Sequence, residues 1–463
     1  MSDRNRIGPG EGPAAPSGDR SGRERSTPPS IRRSRGTAVV LGAGVAATLL
    51  WGAEAILAVL HPDPFRVARS RAQAEGRFVD PRSRAEVVAA LQQKGVAAVP
   101  RVVPASLLVP DSDGRLRSRL ASAAGEELLP LSGLGDRPTV LCAEAGPFAI
   151  FESDRHGLRN PPEVWTRAPV ELALVGDSFT LGECVANGET IADGLRARWP
   201  STVNLGYTGH SPLFELAALV EYGPTLRPRT TLWLYFENDL SWFDLERSAR
   251  SPLLMRYLEP DFSQNLVERR AEIDARLGAL VERDFAGAED LRAAEHDVVR
   301  EPSRLAGLRS QLRLERLRRV LGRMRPRPQA DAVPERFALF QAILARARGV
   351  TAQWGGELVV VYLPGVWSFD PFVGLPGWTG PHVRDAVRDE ANRQGLAFVD
   401  VSAAFAAHAV PLSLFAYPGQ SELVGAPHMN AAGYAYSASV VERALVARSP
   451  SADTTRRSQI SRQ

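Results

Sequence analysis

The sequence predicts an α/β protein built on a doubly wound parallel sheet, preceded by one membrane-spanning helix and interrupted by a helical insertion. Three observations carry that reading: continuously apolar β-type runs, helix-length segments between them, and a 24-residue apolar stretch near the N-terminus (37–60). A strand inside a parallel sheet is covered on both faces, so it reads as an unbroken apolar run rather than as an alternation.

Residues 1–36 are rich in Gly, Pro, Ser and Arg and show no apolar period, which predicts a disordered leader. The stretch TAVVLGAGVAATLLWGAEAILAVL (37–60) follows, with Glu54 its only charge. As a helix it is about 36 Å long, enough for a hydrocarbon core of about 30 Å. Arg32, Arg33 and Arg35 directly before it place the N-terminus in the cytoplasm by the positive-inside rule. Ala53-Glu54-Ala55 also fits a small-x-small cleavage pattern, but leader and apolar run are both long for a signal peptide. The expectation is an uncleaved single-pass anchor in a bacterial cytoplasmic membrane, with everything after residue 60 extracytoplasmic (periplasmic). Such a compartment permits disulfides, and the chain has two cysteines, Cys142 and Cys184. A bridge between them would tether the earlier segment to the region around Ser178; two buried free thiols are the alternative. Their spacing fits no zinc motif.

Residues 61–168 read as a linker and a small β-containing segment. AEVVAALQQKGVAAV is amphipathic, PTVLCAE and PFAIFES are short apolar runs, and ESDRHGLRNP (152–161) is a polar, turn-rich loop. From 169 to 447 the α/β unit begins. Its strands are VELALVG (170–176), TVNLG (202–206), TTLWLYF (230–236), ELVVVYLP (357–364) and LAFVDV (396–401). Helices are predicted over 189–198, 212–222, 336–352, 380–394 and 430–447. Between about 245 and 330, apolar residues recur at three- and four-residue intervals among Arg and Glu, which predicts the helical insertion. Its basic run, 309–327, fits a solvated helix face better than a contact with anionic lipid or polysaccharide. Residues 448–463 are predicted to be a disordered tail.

An apolar fraction of 44% and a charged fraction of 24% are those of a globular protein. The net charge is only +3, with acids interleaved among the arginines and Lys94 the only lysine, so no nucleic-acid surface is expected. Phosphate-loop, dinucleotide and metal signatures are missing, so neither a cofactor nor a metal is expected.

In an open parallel sheet, ligands bind at the carboxyl ends of the strands. Four polar blocks fall there or in a late loop: GDSF with Ser178, NLGYTGHSP with Asn204, Gly206 and Gly209, FENDL with Asn238 and Asp239, and GAPHMNAAGY with His428. Taken singly, Ser178 reads more readily as a helix cap than as a nucleophile, and Asn238 and His428 as satisfied polar residues. In this order the blocks resemble the SGNH/GDSL hydrolase superfamily, over roughly 170–240 and 355–445. The anchor and the DRHGLRNP loop ahead of GDSFTLG also resemble its bacterial membrane-anchored members.

The resemblance implies a flavodoxin-like three-layer fold and a serine hydrolase acting on esters. Ser178 is then the nucleophile, His428 the general base and acid, and Ser178, Gly206 and Asn238 the oxyanion donors. Location and family point to an acylated small molecule or carbohydrate, such as an envelope or secreted polysaccharide. O-acyl transfer on the same site is an alternative, as is a non-catalytic carbohydrate-binding or assembly module. Two departures stand out. Phe236 occupies the position where the third block usually has Gly. Where an Asp usually precedes the His by two or three residues, the chain has Ala426 and Gly425. Glu422 and Asp400 have no spacing to recommend them as substitutes, and a backbone carbonyl holding His428 in a Ser–His dyad is the remaining option. Asp177 and Asp239 read as loop-ordering acids. Asp154, Arg155, His156 and Arg159 line a substrate entrance or close a hydrogen-bonded turn. His210 and His408 have no assigned role.

Overall fold

The structure, a computed structural model, describes residues 32–60, 80, 82–144, 146–167, 169–241, 245–286, 312, 314, 333–369, 381–416 and 428–448. The expectations for most of the leader and the tail, for the basic run but for Leu312 and Leu314, and for Glu422, Gly425 and Ala426 lie outside these residues.

A helix spans Arg32–Leu60, and its Gly36–Leu57 portion, 22 residues of mean hydropathy 1.7, is long and apolar enough to cross a membrane. Only 6% of the most apolar stretch is buried against protein, so its Val and Leu side chains face outward along its length.

Among its described residues, the small β segment holds seven short strands: β1 (Val99–Pro100), β2 (Leu108–Pro110), β3 (Leu116–Ser118), β4 (Leu120–Ala121), β5 (Glu127–Leu128), β6 (Pro138–Val140) and β7 (Ile150–Glu152). β1, β6 and β7 form one sheet, with β6 and β7 an antiparallel hairpin. The α/β unit holds β8 (Leu172–Gly176), β9 (Val203–Asn204), β10 (Thr230–Phe236), β11 (Glu357–Leu363) and β12 (Ala397–Asp400). These five make a wholly parallel sheet in the order β12-β11-β10-β8-β9.

Alternate residues of these strands enter two separate cores. Trp233, Tyr235, Val360 and Tyr362 face the helices Pro212–Leu226 and Val333–Ala352. Leu232, Leu234, Val359 and Val361 face the helices Ile191–Arg196, Val401–Ala406 and Ala431–Arg448. Both faces are therefore covered, which is why the strands lack a polar alternation. Burying each Leu, Val or Phe contributes about 1.5–3 kcal/mol.

The first core also takes in Leu107, Leu128, Leu141, Phe151 and Leu158 from the small β segment and Leu266, Ile273 and Leu277 from the start of the insertion. The small β part of that segment is thus continuous with the α/β unit, while the linker expected at its start, over 61–79, lies outside the described residues. The described part of the insertion includes the helix Arg270–Ala286. Arg270 donates to the carbonyls of Gly133 and His156, and Glu272 accepts the Ala123 N–H, so this helix is clamped onto the β segment.

The strand order reverses between β8 and β10. After β8 the chain moves outward to β9, then returns to the other side of β8 to build β10, β11 and β12. The crevice between the carboxyl ends of β8 and β10 is where such a sheet offers a ligand site.

Candidate active site

Ser178 stands at that crevice, directly beyond β8. Asp177 caps the four-residue helix Ser178–Leu181 by accepting the Phe179 N–H at 2.9 Å. Gly182 ends it at φ 79°, a left-handed conformation that suits glycine, and a Cβ there would lie 2.4 Å from Thr190. The Gly182 and Glu183 N–H groups both return to the Ser178 carbonyl, at 3.1 and 3.0 Å.

Arg159, from the DRHGLRNP loop, fixes this turn from below. Its guanidinium donates to the carbonyls of Gly182 at 2.7 Å and Val185 at 2.9 Å, and to Asn187 Oδ1 at 3.2 Å. Burial pulls its pKa down to about 10, against the opposing pull of Asp193. The rest of the loop is equally committed. Buried Asp154 accepts from the N–H groups of His156 and Leu158, from Asn160 Nδ2 and from Trp165 Nε1. Asn160 in turn accepts the Asn204 N–H at 2.8 Å, joining the loop to β9. This is a hydrogen-bonded turn beneath Ser178, not the lining of an entrance. Arg155 lies over the Trp165 ring, and burial holds His156 down at about 4.

His428 reaches Ser178 from the far end of the chain. Asn430 pins its loop: Nδ2 donates to the carbonyls of Ser413 and Phe415, and Oδ1 accepts the Gly433 N–H at the start of the last helix. The His428 ring lies 4.8 Å from Phe179, whose other face stacks on Phe236 with centroids 3.7 Å apart. His428 Nε2 is 2.9 Å from Ser178 Oγ.

The other ring nitrogen is held by Glu144. Glu144 Oε1 lies 2.6 Å from His428 Nδ1, and Oε2 accepts the His428 backbone N–H at 3.1 Å. A carboxylate only accepts, so it keeps the proton on Nδ1 and leaves Nε2 bare to accept the Ser178 hydroxyl proton. Both side chains are largely covered, with 17% of His428 and 19% of Glu144 exposed. Asp400, the one described carboxylate of the two considered from sequence, instead caps the helix Val401–Ala406 and pairs with Arg384.

Glu144 sits on the connection between β6 and β7, two residues after Cys142, and Cys142 is disulfide-bonded to Cys184. That bridge is the one signal by which sequence alone would have pointed to Glu144. It brings the residues flanking Cys142 beside the turn that carries Ser178. Glu183, between the turn and Cys184, ion-pairs with Arg101 and accepts from the Thr208 hydroxyl.

The remaining site residues divide. Asn238 follows β10 at the crevice, and its Oδ1 is buried with no partner among the described residues. Asp239 orders the turn, its Oδ2 accepting the Phe236 N–H. Gly206 is required by packing, since a Cβ there would lie 2.4 Å from Thr180. Its N–H, however, is donated to Asn204 Oδ1 at 2.9 Å and is not available to an oxyanion in this geometry. Gly209, three residues on, gives its N–H to no acceptor among the described residues. His210 is buried on the Leu131 carbonyl, and His408 accepts the Val410 N–H; neither takes part.

Next to Asn238, Glu237 is buried and accepts from Trp367 Nε1 and Ser368 Oγ. Burial pushes its carboxyl up to about 7, against those donors. The clusters of metal-ligating residue types among the described residues both contain Cys184, whose sulfur is committed to the disulfide.

The chain matches no protein-family model, and the curated proteins compared with it yield no match.

Proposed function

We propose that the chain is a membrane-anchored, extracytoplasmic serine esterase or deacetylase of the SGNH/GDSL type. The observation that carries this reading is the continuous relay from Glu144 through His428 to Ser178, with contacts of 2.6 and 2.9 Å. The absence of an Asp just before His428 was what favoured a non-catalytic module, and an acid supplied from elsewhere removes that reason. The anchor helix and the disulfide support an oxidising, extracytoplasmic setting. That setting, with the family resemblance, favours an acylated envelope or secreted polysaccharide as substrate.

The chemistry runs in two halves. Ser178 Oγ attacks the ester carbonyl carbon while His428 Nε2 takes its proton, and the imidazolium is stabilised by Glu144. The carbonyl oxygen becomes an oxyanion facing the Ser178 N–H and the Asn238 amide, each donor worth about 2.7–4 kcal/mol in the transition state. Collapse breaks the bond to the alcohol, which leaves with the proton from His428, and acyl-Ser178 remains. Water, deprotonated by His428, then attacks the acyl carbon, releasing the carboxylic acid and restoring Ser178.

The test is turnover of p-nitrophenyl acetate by the full chain in detergent, alongside Ser178→Ala and His428→Ala, with fluorophosphonate labelling mapped by mass spectrometry. Turnover and labelling at Ser178, both lost in Ser178→Ala, are expected. Equal turnover by all three proteins would sink the esterase reading.

A further inference from the structure

We propose that the Cys142–Cys184 disulfide is a positioning device for Glu144, and that opening it switches off the proposed esterase without unfolding the protein. The inference rests on the esterase reading and adds a control to it.

Glu144 is weakly anchored by anything else. The hairpin connection is tied at its ends, where the Leu141 N–H donates to the Ala149 carbonyl, the Ala149 N–H donates to the Cys142 carbonyl, Arg84 holds the Leu141 carbonyl, and Gly146 accepts from Asp80. Between those ties, Ala143 and Glu144 make no hydrogen bond to any described residue except His428 itself. Besides the Ala149 N–H on the Cys142 carbonyl, the tie nearest the acid on its N-terminal side is therefore the covalent bond two residues before it.

The other end of the bond is as telling. Cys184 directly follows Glu183, whose N–H closes onto the Ser178 carbonyl at 3.0 Å. Cys184 itself stands at φ 61°, a left-handed conformation that disfavours a residue with a Cβ. The bond thus joins the acid's loop to the nucleophile's own turn, across 42 residues of chain, at a backbone position that would relax if released. By contrast, Ser178 and His428 have further anchors of their own in Asp177, Arg159 and Asn430.

Reduction by a dithiol breaks the S–S bond with two electrons and two protons. Two cysteine thiols form, and the reductant becomes its own cyclic disulfide. Glu144 is then free to leave His428, and the site falls back to a Ser–His pair. In a reducing cytoplasm the chain would be an idle hydrolase, and oxidation beyond the membrane would complete it.

The experiment uses the full chain in detergent. One sample is reduced with dithiothreitol, alkylated and desalted. A second is reduced, desalted and reoxidised with oxidised glutathione. The alkylated sample is expected to lose about 10²-fold or more in kcat at little-changed KM, while keeping its cooperative thermal transition. The reoxidised one should recover. In parallel, Glu144→Gln is measured in the native chain and in Cys142→Ser/Cys184→Ser. It should cost about 10²-fold or more in the first and no more than about 3-fold in the second. An equal cost in both backgrounds overturns the proposal. So does unchanged activity with the bond shown open by mass spectrometry, or loss of the thermal transition together with activity. Should the double serine variant not fold, the reduction series decides alone. If the oxidised chain neither turns over nor labels at Ser178, the esterase reading itself falls; if it does both and reduction changes neither, only the switch falls.

Discussion

Glu144 meets His428 through both carboxylate oxygens, one on the ring at 2.6 Å and one on the backbone N–H at 3.1 Å. The acid therefore sets where the histidine's main chain lies as well as which way its ring turns. Glu144→Gln keeps the shape but offers one acceptor where two are needed, so an amide N–H must face either the ring N–H or the backbone N–H. Turnover is expected to fall about 10²–10⁴-fold with the thermal midpoint nearly unchanged. Steady-state kinetics together with a melting curve check both halves.

At Asn238, replacement by Ala should lower kcat about 10²–10³-fold with a small change in KM, because an oxyanion donor acts mainly in the transition state. A loss confined to KM would mean that Asn238 only holds substrate. The same kinetic measurements decide.

Arg159 is a structural keystone of the turn that carries Ser178. Arg159→Met would leave the Gly182 and Val185 carbonyls and Asn187 Oδ1 without their donor. A loss of about 2–4 kcal/mol is expected, read from the urea midpoint at constant slope. Arg159→Lys should recover part of it, since one ammonium cannot reach all three acceptors.

Glu237 makes stability depend on pH. Its carboxyl is raised by burial from 4.5 in the unfolded chain to about 7 in the fold. Through that window the native state holds a proton that the unfolded state has released, so this contribution is complete below pH 4.5 and is lost as pH rises through 7. The loss is about 3 kcal/mol by pH 8. Urea unfolding of Glu237→Gln should lack this decline, so that it gains on the native chain between pH 5 and pH 8. A constant difference between the two proteins across that range would refute the assignment.

A reporter fused after Gln463 should read as extracytoplasmic, and one placed before Arg32 as cytoplasmic. Opposite readings would reverse the proposed topology.

The sheet and much of the site could be read from the chain because they rest on local signals. Apolar runs such as TTLWLYF cannot stay exposed, and Ser178 and Asn238 directly follow such runs while His428 precedes a helix. Three features were harder. Glu144 lies on a hairpin whose strands are three residues long, too short to show a period, and its partner is 284 residues away. At Gly206, motif order calls for a glycine, but only coordinates show that Thr180 is the reason and that the N–H already belongs to Asn204. The DRHGLRNP loop left two readings open because Asp, Arg and His suit a substrate and a turn equally. Burial and the four donors on Asp154 decide for the turn. Phe236 in the place of the usual glycine has a physical reason too, since its ring backs the Phe179 ring that supports His428.

The shared core of the small β segment and the α/β unit has a practical corollary for anyone trimming or grafting this protein. On the proposed reading, a fragment beginning at residue 169 would carry Ser178 and His428 and would look like a finished hydrolase, yet it would have left Glu144 behind. The hairpin that carries Glu144 is itself seated on β1, where Val99 and Pro100 pair with Thr139 and Val140. The shortest working piece must therefore begin ahead of Val99. The unit that a designer can cut out and the unit that can do chemistry have different starting points.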